Sequence, residues 1–264
     1  MRVFDFNSAI VRSPGKSVVN GLRANGGPAP SFESIVAEHG TYVAALRAAG
    51  VRVQTLAALE QFPDSIFVED PALVFSEAAV LLRPGAQSRL GEAQELSTVL
   101  AAQFPELLRL SNGFADGGDI LVTPGRVLIG LSARTDATGA KALQNLLASI
   151  GRASQVIDTP RGTLHLKSDC SLIDEETVLA TKGLAESGIL EGFEILVVPP
   201  EERSAANAVR VNDVVFVRAG CPRTLEMISR RGLKVTTLPV SEIAKIDAGL
   251  SCMSLRWLDM RSHH

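Results

Sequence analysis

The chain has 264 residues, 46% of them hydrophobic and 21% charged, with a formal net charge of −3. That apolar share can build a sizeable core, which excludes wholesale disorder, and the scattered basic residues give a nucleic-acid or anionic-membrane surface no support. No apolar run approaches the roughly 18 residues of a membrane helix, Met1-Arg2-Val3-Phe4-Asp5 meets an acid too early for a secretory signal, and 3 cysteines do not make a disulfide framework, so a soluble protein of a reducing, cytoplasmic compartment is expected.

In chain order, the apolar periodicity of Ile35, Val36, His39, Val43, Leu46 and Arg47 predicts a helix over Ser31 to Ala49, stopped by Gly50. A strand follows over Ala72 to Leu82 and a helix over Gly91 to Phe104. Strands over Ile120 to Thr123 and Val127 to Leu131 precede a helix over Gly139 to Ile150. Further strands are expected over Ser171 to Ala180, Glu194 to Pro199 and Asn207 to Val217, then a helix over Arg223 to Arg231 and a strand over Lys234 to Leu238. No linker interrupts this order, so one domain over residues 1–260 is expected, with Arg261-Ser262-His263-His264 read as the start of an expression tag.

A weak echo runs through these elements. Val-Arg-Ser-Pro-Gly-Lys-Ser (11–17), Leu-Arg-Pro-Gly-Ala-Gln-Ser-Arg (82–89), Leu-Ser-Ala-Arg-Thr (131–135) and Val-Arg-Ala-Gly-Cys-Pro-Arg-Thr (217–224) each follow an apolar strand. Another apolar strand, Thr177 to Ala180, ends in Thr181-Lys182-Gly183 without the arginine. Repeated strand–turn–helix units suit a doubly wound sheet or a ring of modules, and composition alone leaves both open.

Few residues can carry chemistry. Of 4 histidines, two close the chain and His39 lies on a helix's apolar stripe, which leaves His165, flanked by Leu164 and Leu166, for acid–base work. Cys170 and Cys221 read as packing residues. Cys252 stands among Gly249, Ser251 and Ser254, a tight turn whose amide N–H groups would lower a thiol pKa and expose a nucleophile. No cysteine or histidine pair has metal-ligand spacing. Two acidic clusters, Asp64 with Glu69-Asp70-Pro71 and Asp116-Gly117-Gly118-Asp119, offer carboxylates to a planar cation such as guanidinium. The diglycine lets backbone approach a ligand closely, but lacks the spacing of a phosphate loop.

Phe-Val-Glu-Asp (67–70), Arg-Pro-Gly-Ala-Gln-Ser-Arg (83–89), Asp-Gly-Gly-Asp (116–119), Ser-Ala-Arg-Thr (132–135), Leu-His-Leu-Lys (164–167) and Gly-Leu-Ser-Cys-Met-Ser-Leu-Arg (249–256) together resemble the dimethylarginine dimethylaminohydrolase family of guanidino-group-modifying enzymes. The resemblance implies a five-bladed α/β propeller of ββαβ modules around a pseudo-fivefold axis, with the active site in the central channel. It implies Cys252 as nucleophile on a guanidinium carbon, through a covalent thiouronium, and His165 as acid and then base. Asp70 and Asp116 would hold the guanidinium; many relatives carry Glu where this chain has Asp116, one methylene shorter. Arg89 and Arg134 would pair with a substrate α-carboxylate, Asp64 would help position the α-amino end, Leu22 would close over the substrate, and Glu69 would orient the site.

The activity implied is hydrolysis of Nω-methylated arginine to citrulline and an alkylamine, without metal or organic cofactor. The partner expected is therefore this small molecule, and a homodimer is compatible with the likeness. Two alternatives stay open: an arginine deiminase, although the inserted helical domain of those longer enzymes is absent, and a non-catalytic guanidino-binding module.

Overall fold

The computed structural model describes residues 2–23 and 26–263; His264, read above as part of a tag, lies outside them. Its elements follow one pattern five times. Strand β1 (Ser8–Arg12) leads to helix α1 (Phe32–Ala48) and strand β2 (Arg52–Leu56). Next come β3 (Ala72–Val74), β4 (Ala78–Leu81), α2 (Glu92–Gln103) and β5 (Glu106–Arg109). The third set is β6 (Ile120–Val122), β7 (Val127–Leu131), α3 (Ala137–Ser149) and β8 (Ser154–Asp158). The fourth opens with a one-turn helix α4 (Leu166–Asp169), then β9 (Cys170–Leu172), β10 (Thr177–Ala180), α5 (Lys182–Glu186) and β11 (Glu194–Val197). The fifth is β12 (Val209–Val211), β13 (Val214–Arg218), α6 (Pro222–Ser229) and β14 (Lys234–Leu238), and β15 (Leu255–Trp257) ends the series.

Each set forms a three-stranded sheet, ordered β15-β1-β2, β3-β4-β5, β6-β7-β8, β9-β10-β11 and β12-β13-β14. The first strand of each sheet is antiparallel to the middle one, and the middle is parallel to the last across its helix. In the first module the antiparallel strand is supplied by the C-terminal end, Ser8 pairing with Trp257 and Ile10 with Leu255. This closes the ring.

The core is distributed accordingly. Five apolar clusters each join one module to the next: Ile10 and Leu255 with Ala79 and Leu81, Val80 with Ile129, Leu128 with Val178, Leu179 with Val215, and Phe216 with Val11. Five ββαβ modules joined pairwise make an α/β propeller, the fold class that the motif order implied.

Local chemistry sets the boundaries. Ser31 caps α1 by accepting the Ser34 N–H, and Asp136 caps α3 by accepting the Gly139 N–H at 2.6 Å. The stripe on α1 is rotated from its expected course: Glu38, His39 and Tyr42 are buried beside Ile35, Val43 and Leu46, while Val36 and Arg47 face solvent. The long strands expected over Ala72 to Leu82, Ser171 to Ala180 and Asn207 to Val217 are each two strands folded into a hairpin. Asn212, with φ of 55°, makes the left-handed turn in the last of these.

The echo has a place in this plan. Its four arginine-bearing turns follow β1, β4, β7 and β13, and Thr181-Lys182-Gly183 follows β10, so each marks the carboxyl end of a middle strand. No helix of the described residues is long and apolar enough to cross a membrane.

Candidate active site

The loops that enter the inner strands converge at one end of the ring axis. Asp70 precedes β3, Asp116 precedes β6, His165 precedes α4 and β9, and Cys252 lies in a 3-10 turn, Ser251–Met253, before β15. The turns leaving the middle strands bring Leu22, Arg89 and Arg134. A pocket of about 30 Å³ is lined by Leu22, Asp64, Asp70, Arg89, Asp116, Arg134, His165 and Cys252, with Ile246 and Ala248 across from them. Eight of the nine residues singled out in the sequence meet there.

Hydrogen bonds fix the charged groups. His165 Nε2 lies 2.9 Å from Asp116 Oδ2, and Asp116 Oδ1 accepts the Gly85 N–H at 2.7 Å. Both oxygens of the shorter acid are thus committed within the protein. Asp70 Oδ1 accepts the Gly118 N–H at 3.0 Å, and its Oδ2 pairs with Arg89 Nη1. Arg89 spends most of its remaining donors on Glu92 and the Phe67 carbonyl. Arg134 is half-buried in the pocket wall and has no ion-pair partner among the described residues. Asp64 Oδ1 accepts the Leu22 N–H at 3.0 Å.

These surroundings set protonation. Burial favours neutral imidazole at His165, but Asp70, the hydrogen bond to Asp116 and Asp119 outweigh it and raise the pKa to about 9. His165 is therefore an imidazolium at neutral pH. Cys252 departs from expectation. Burial, with Asp70 and Glu69 nearby, pushes its thiol up to about 12, against the opposing Gly249 N–H and Lys167 ammonium. The local turn does present an amide to sulfur, but two carboxylates from other modules outweigh it. Burial pushes the Asp70 carboxyl up, yet Arg89 and His165 hold it below its ordinary value. Cys170 and Cys221 are buried packing residues, as read from their surroundings.

Glu69 is the residue that does not join the pocket. Its Oε1 accepts Lys167 Nζ at 2.5 Å and Arg256 Nη2 at 3.4 Å. There it borders a separate cavity of about 240 Å³ among the inner strands. Glu69 and Asp70 are neighbours in the turn before β3, and their carboxylates go to different partners, Lys167 and Arg256 for the first and Gly118 and Arg89 for the second. The diglycine also serves the protein itself: a Cβ on Gly118 would lie 2.7 Å from the His165 ring and 3.0 Å from Asp70 Oδ1. The close approach it permits is between the pocket side chains His165 and Asp70 and backbone.

Four contributors had no role assigned from sequence. Asp119 is fully buried, accepts the Leu166 N–H at 2.9 Å and takes hydroxyl bonds from Ser132 and Thr135, which anchors the His165 loop. Glu92 holds Arg89, and Lys167 and Arg256 hold Glu69; Asp119, Lys167 and Arg256 stood in motifs that could have suggested them, and Glu92 did not. One polar atom each from Asp70, Asp116 and His165 lies within 4.8 Å of the others, which sets the imidazolium between two carboxylates. Spacing along the chain could not reveal it, because each comes from a different module.

Comparison with known proteins agrees with this geometry. The family model described as arginine deiminase matches residues 101–216. A dimethylarginine dimethylaminohydrolase of Pseudomonas aeruginosa is 37% identical over 254 residues, covering 96% of this chain and 100% of the relative. A solved structure of DDAH from Pseudomonas aeruginosa, a cysteine-to-serine mutant complexed with citrulline, superposes with a TM-score of 0.93 at 36% identity, covering 96% of this chain and 100% of that one. A second, a dimethylarginine dimethylaminohydrolase adduct with S-methyl-L-thiocitrulline, gives 0.92 over 95% of this chain and 99% of that one, also at 36% identity.

A propeller with a thiol, an imidazolium and paired carboxylates at one end of its axis defines a hydrolase of the guanidino-modifying class. Within that class the chain belongs to the dimethylarginine dimethylaminohydrolase family.

Proposed function

We propose that the protein hydrolyses Nω-methylated arginine, asymmetric dimethylarginine or monomethylarginine, to citrulline and dimethylamine or methylamine, with Cys252 as nucleophile. The observation that carries this reading is the meeting, in one pocket, of Cys252, His165, Asp70 and Asp116 with Arg134, which has no ion-pair partner among the described residues. Asp70 would hold the guanidinium, Arg134 would take the α-carboxylate, and Asp64 beside Leu22 would receive the α-amino end. Arg89 keeps Asp70 charged and in place, and so acts on the substrate largely through it. Asp116 orients His165.

The protonation states fit the chemistry. A guanidinium carbon is a poor electrophile, so it needs a thiolate, yet the free thiol is protonated. A substrate cation against Asp70 cancels part of the negative field that raises the thiol pKa, so binding itself promotes loss of the Cys252 proton to solvent. The thiolate attacks Cζ, and as the C–N bond to the methylated nitrogen breaks, the His165 imidazolium protonates the departing amine. The Cys252 thiouronium remains. Neutral His165 then takes one proton from water as the oxygen adds to Cζ, and the C–S bond breaks as the added hydroxyl gives up its remaining proton, which returns Cys252 as the thiol and releases the ureido group of citrulline. One water is consumed and one amine released per turnover.

Unmethylated arginine is the second reading, favoured by the arginine deiminase match over residues 101–216. Assay of citrulline from asymmetric dimethylarginine, monomethylarginine and arginine side by side tests both. The proposal predicts faster turnover of the methylated pair. Preference for arginine would move the protein to the second reading, and citrulline from none would refute both.

A further inference from the structure

The ring repeats one placement five times, and one of the five has no part in the mechanism above. Asp70, Asp116, His165 and Cys252 each sit in the loop just before an inner strand, ahead of β3, β6, β9 and β15. The corresponding place in the fifth module, just before β12, is Asn207. We infer that Asn207 is a positioning residue for the hydrolysis, setting Cys252 against His165 by tying the two loops that carry them. This rests on the reading of Cys252 as nucleophile and His165 as acid and base.

Its side chain is buried and bonded on both ends. Nδ2 donates to the Lys167 carbonyl at 2.6 Å and to Ser251 Oγ at 3.1 Å, while Oδ1 accepts the Ser251 N–H at 3.1 Å. The orientation of the amide is set by these partners, since a carbonyl only accepts and an N–H only donates. Lys167 lies two residues beyond His165 in α4, whose first turn is closed by the Ser168 N–H to the His165 carbonyl. Ser251 is the neighbour of Cys252, with its Oγ 4.0 Å from the sulfur. One amide therefore spans from the acid–base loop to the nucleophile turn, although the two are 87 residues apart in sequence.

The loop chemistry is built around it. A Cβ on Gly249 would stand 2.4 Å from Asn207 Oδ1, so the nucleophile turn leaves that space for the amide. Truncating Asn207 strands the buried Ser251 N–H and the Lys167 carbonyl together, and leaves the two loops the longer link from Lys167 through Glu69 and Arg256 to the Ser251 carbonyl. Asp in its place keeps an oxygen for the Ser251 N–H but sets a second oxygen against the Lys167 carbonyl, which restores one tie of the three.

The test compares wild type, Asn207→Ala and Asn207→Asp in two readouts, with folding checked by circular dichroism. In turnover of asymmetric dimethylarginine, Asn207→Ala should lose about 10- to 100-fold in kcat with KM within about threefold, because misplacing reacting groups costs rate and not binding. Asn207→Asp should recover part of the loss. In the second readout, iodoacetamide alkylation of Cys252 is followed by peptide mass spectrometry from pH 7 to 10. Its rate should change at least about threefold in Asn207→Ala, since the sulfur's surroundings shift, while Cys221 labels as before. A kcat within twofold of wild type, unchanged Cys252 alkylation in a folded variant, or losses that follow only the unfolded fraction would each overturn the inference. Failure of the wild type to turn over any arginine would defeat the functional reading, and the alkylation comparison would still decide on Asn207.

Discussion

Asp116→Asn probes the charge balance of the site at one atom. In the wild type, the His165 pKa rises from 6.5 to about 9. At about 1.4 kcal/mol per unit this is on the order of 3 kcal/mol in favour of the imidazolium. The substituted side chain keeps its oxygen on the Gly85 N–H, which leaves an amide nitrogen facing Nε2 where an acceptor stood. Loss of a charge-assisted hydrogen bond, worth about 1.5–3 kcal/mol, should bring His165 down by roughly 1–2 units, to between 7 and 8. The assay is imidazole NMR across pH 4 to 11; the chain has only 4 histidines, and His39, held near 4 by burial, is an internal control.

Stability should follow with a definite sign. A raised folded-state pKa stabilises fully below pH 6.5 and is lost as pH rises through about 9. The wild type should therefore lose more unfolding free energy between pH 6 and 10 than the variant does. A wild-type His165 titrating near 6.5, or one still near 9 in Asp116→Asn, would refute the reasoning.

Cys252→Ser should abolish turnover while isothermal titration still detects substrate binding; retained turnover would remove Cys252 as nucleophile. Arg134→Ala should raise KM about 10- to 100-fold with little change in kcat, as expected for one lost charge-assisted contact, and should leave simple alkylguanidines unaffected. An unchanged KM would contradict its pairing with the carboxylate. Glu92→Ala leaves the buried Arg89 short of a partner, and a broken buried ion pair costs about 3–5 kcal/mol, or roughly 6–15 °C in Tm for a chain of this size. A fall under 3 °C by calorimetry would show that Asp70 and the Phe67 carbonyl suffice. Asp70→Asn should speed iodoacetamide labelling of Cys252 at pH 8, because one of the two carboxylates raising its thiol pKa is gone; slower labelling would argue against that cause.

The middle strands were legible because both of their faces are covered. β1, β4 and β10 are buried at every position, so they read as unbroken apolar runs. Of the outer strands, β11 and β14 were read but β2, β5 and β8 were not: β2 is Arg-Val-Gln-Thr-Leu and mostly open to solvent, and its parallel partner across α1 supplies the order its composition lacks. Hairpins at Glu77 and Asn212 were hidden inside apolar stretches whose two halves bury together. The turns after the middle strands could be recognised as repeats because each leaves the carboxyl end of the middle strand of its module.

Site residues divide in the same way. Cys252, His165, Asp70 and Asp116, which meet in the pocket, stand in short motifs and could be named. Those that hold them, Glu92 under Arg89 and Asn207 between Lys167 and Ser251, meet partners in other elements and leave no local signal. The thiol pKa shows the limit most clearly, because the amides of the Cys252 turn are local whereas Asp70 and Glu69 arrive from another module.

The most direct measurement is mass spectrometry of acid-quenched turnover with asymmetric dimethylarginine, followed by peptide mapping. Covalent catalysis by Cys252 predicts a thiouronium adduct on the peptide holding Cys252, present during turnover and absent in Cys252→Ser. Citrulline formation with no adduct on Cys252 at any quench time, or an adduct on Cys170 or Cys221, would contradict it.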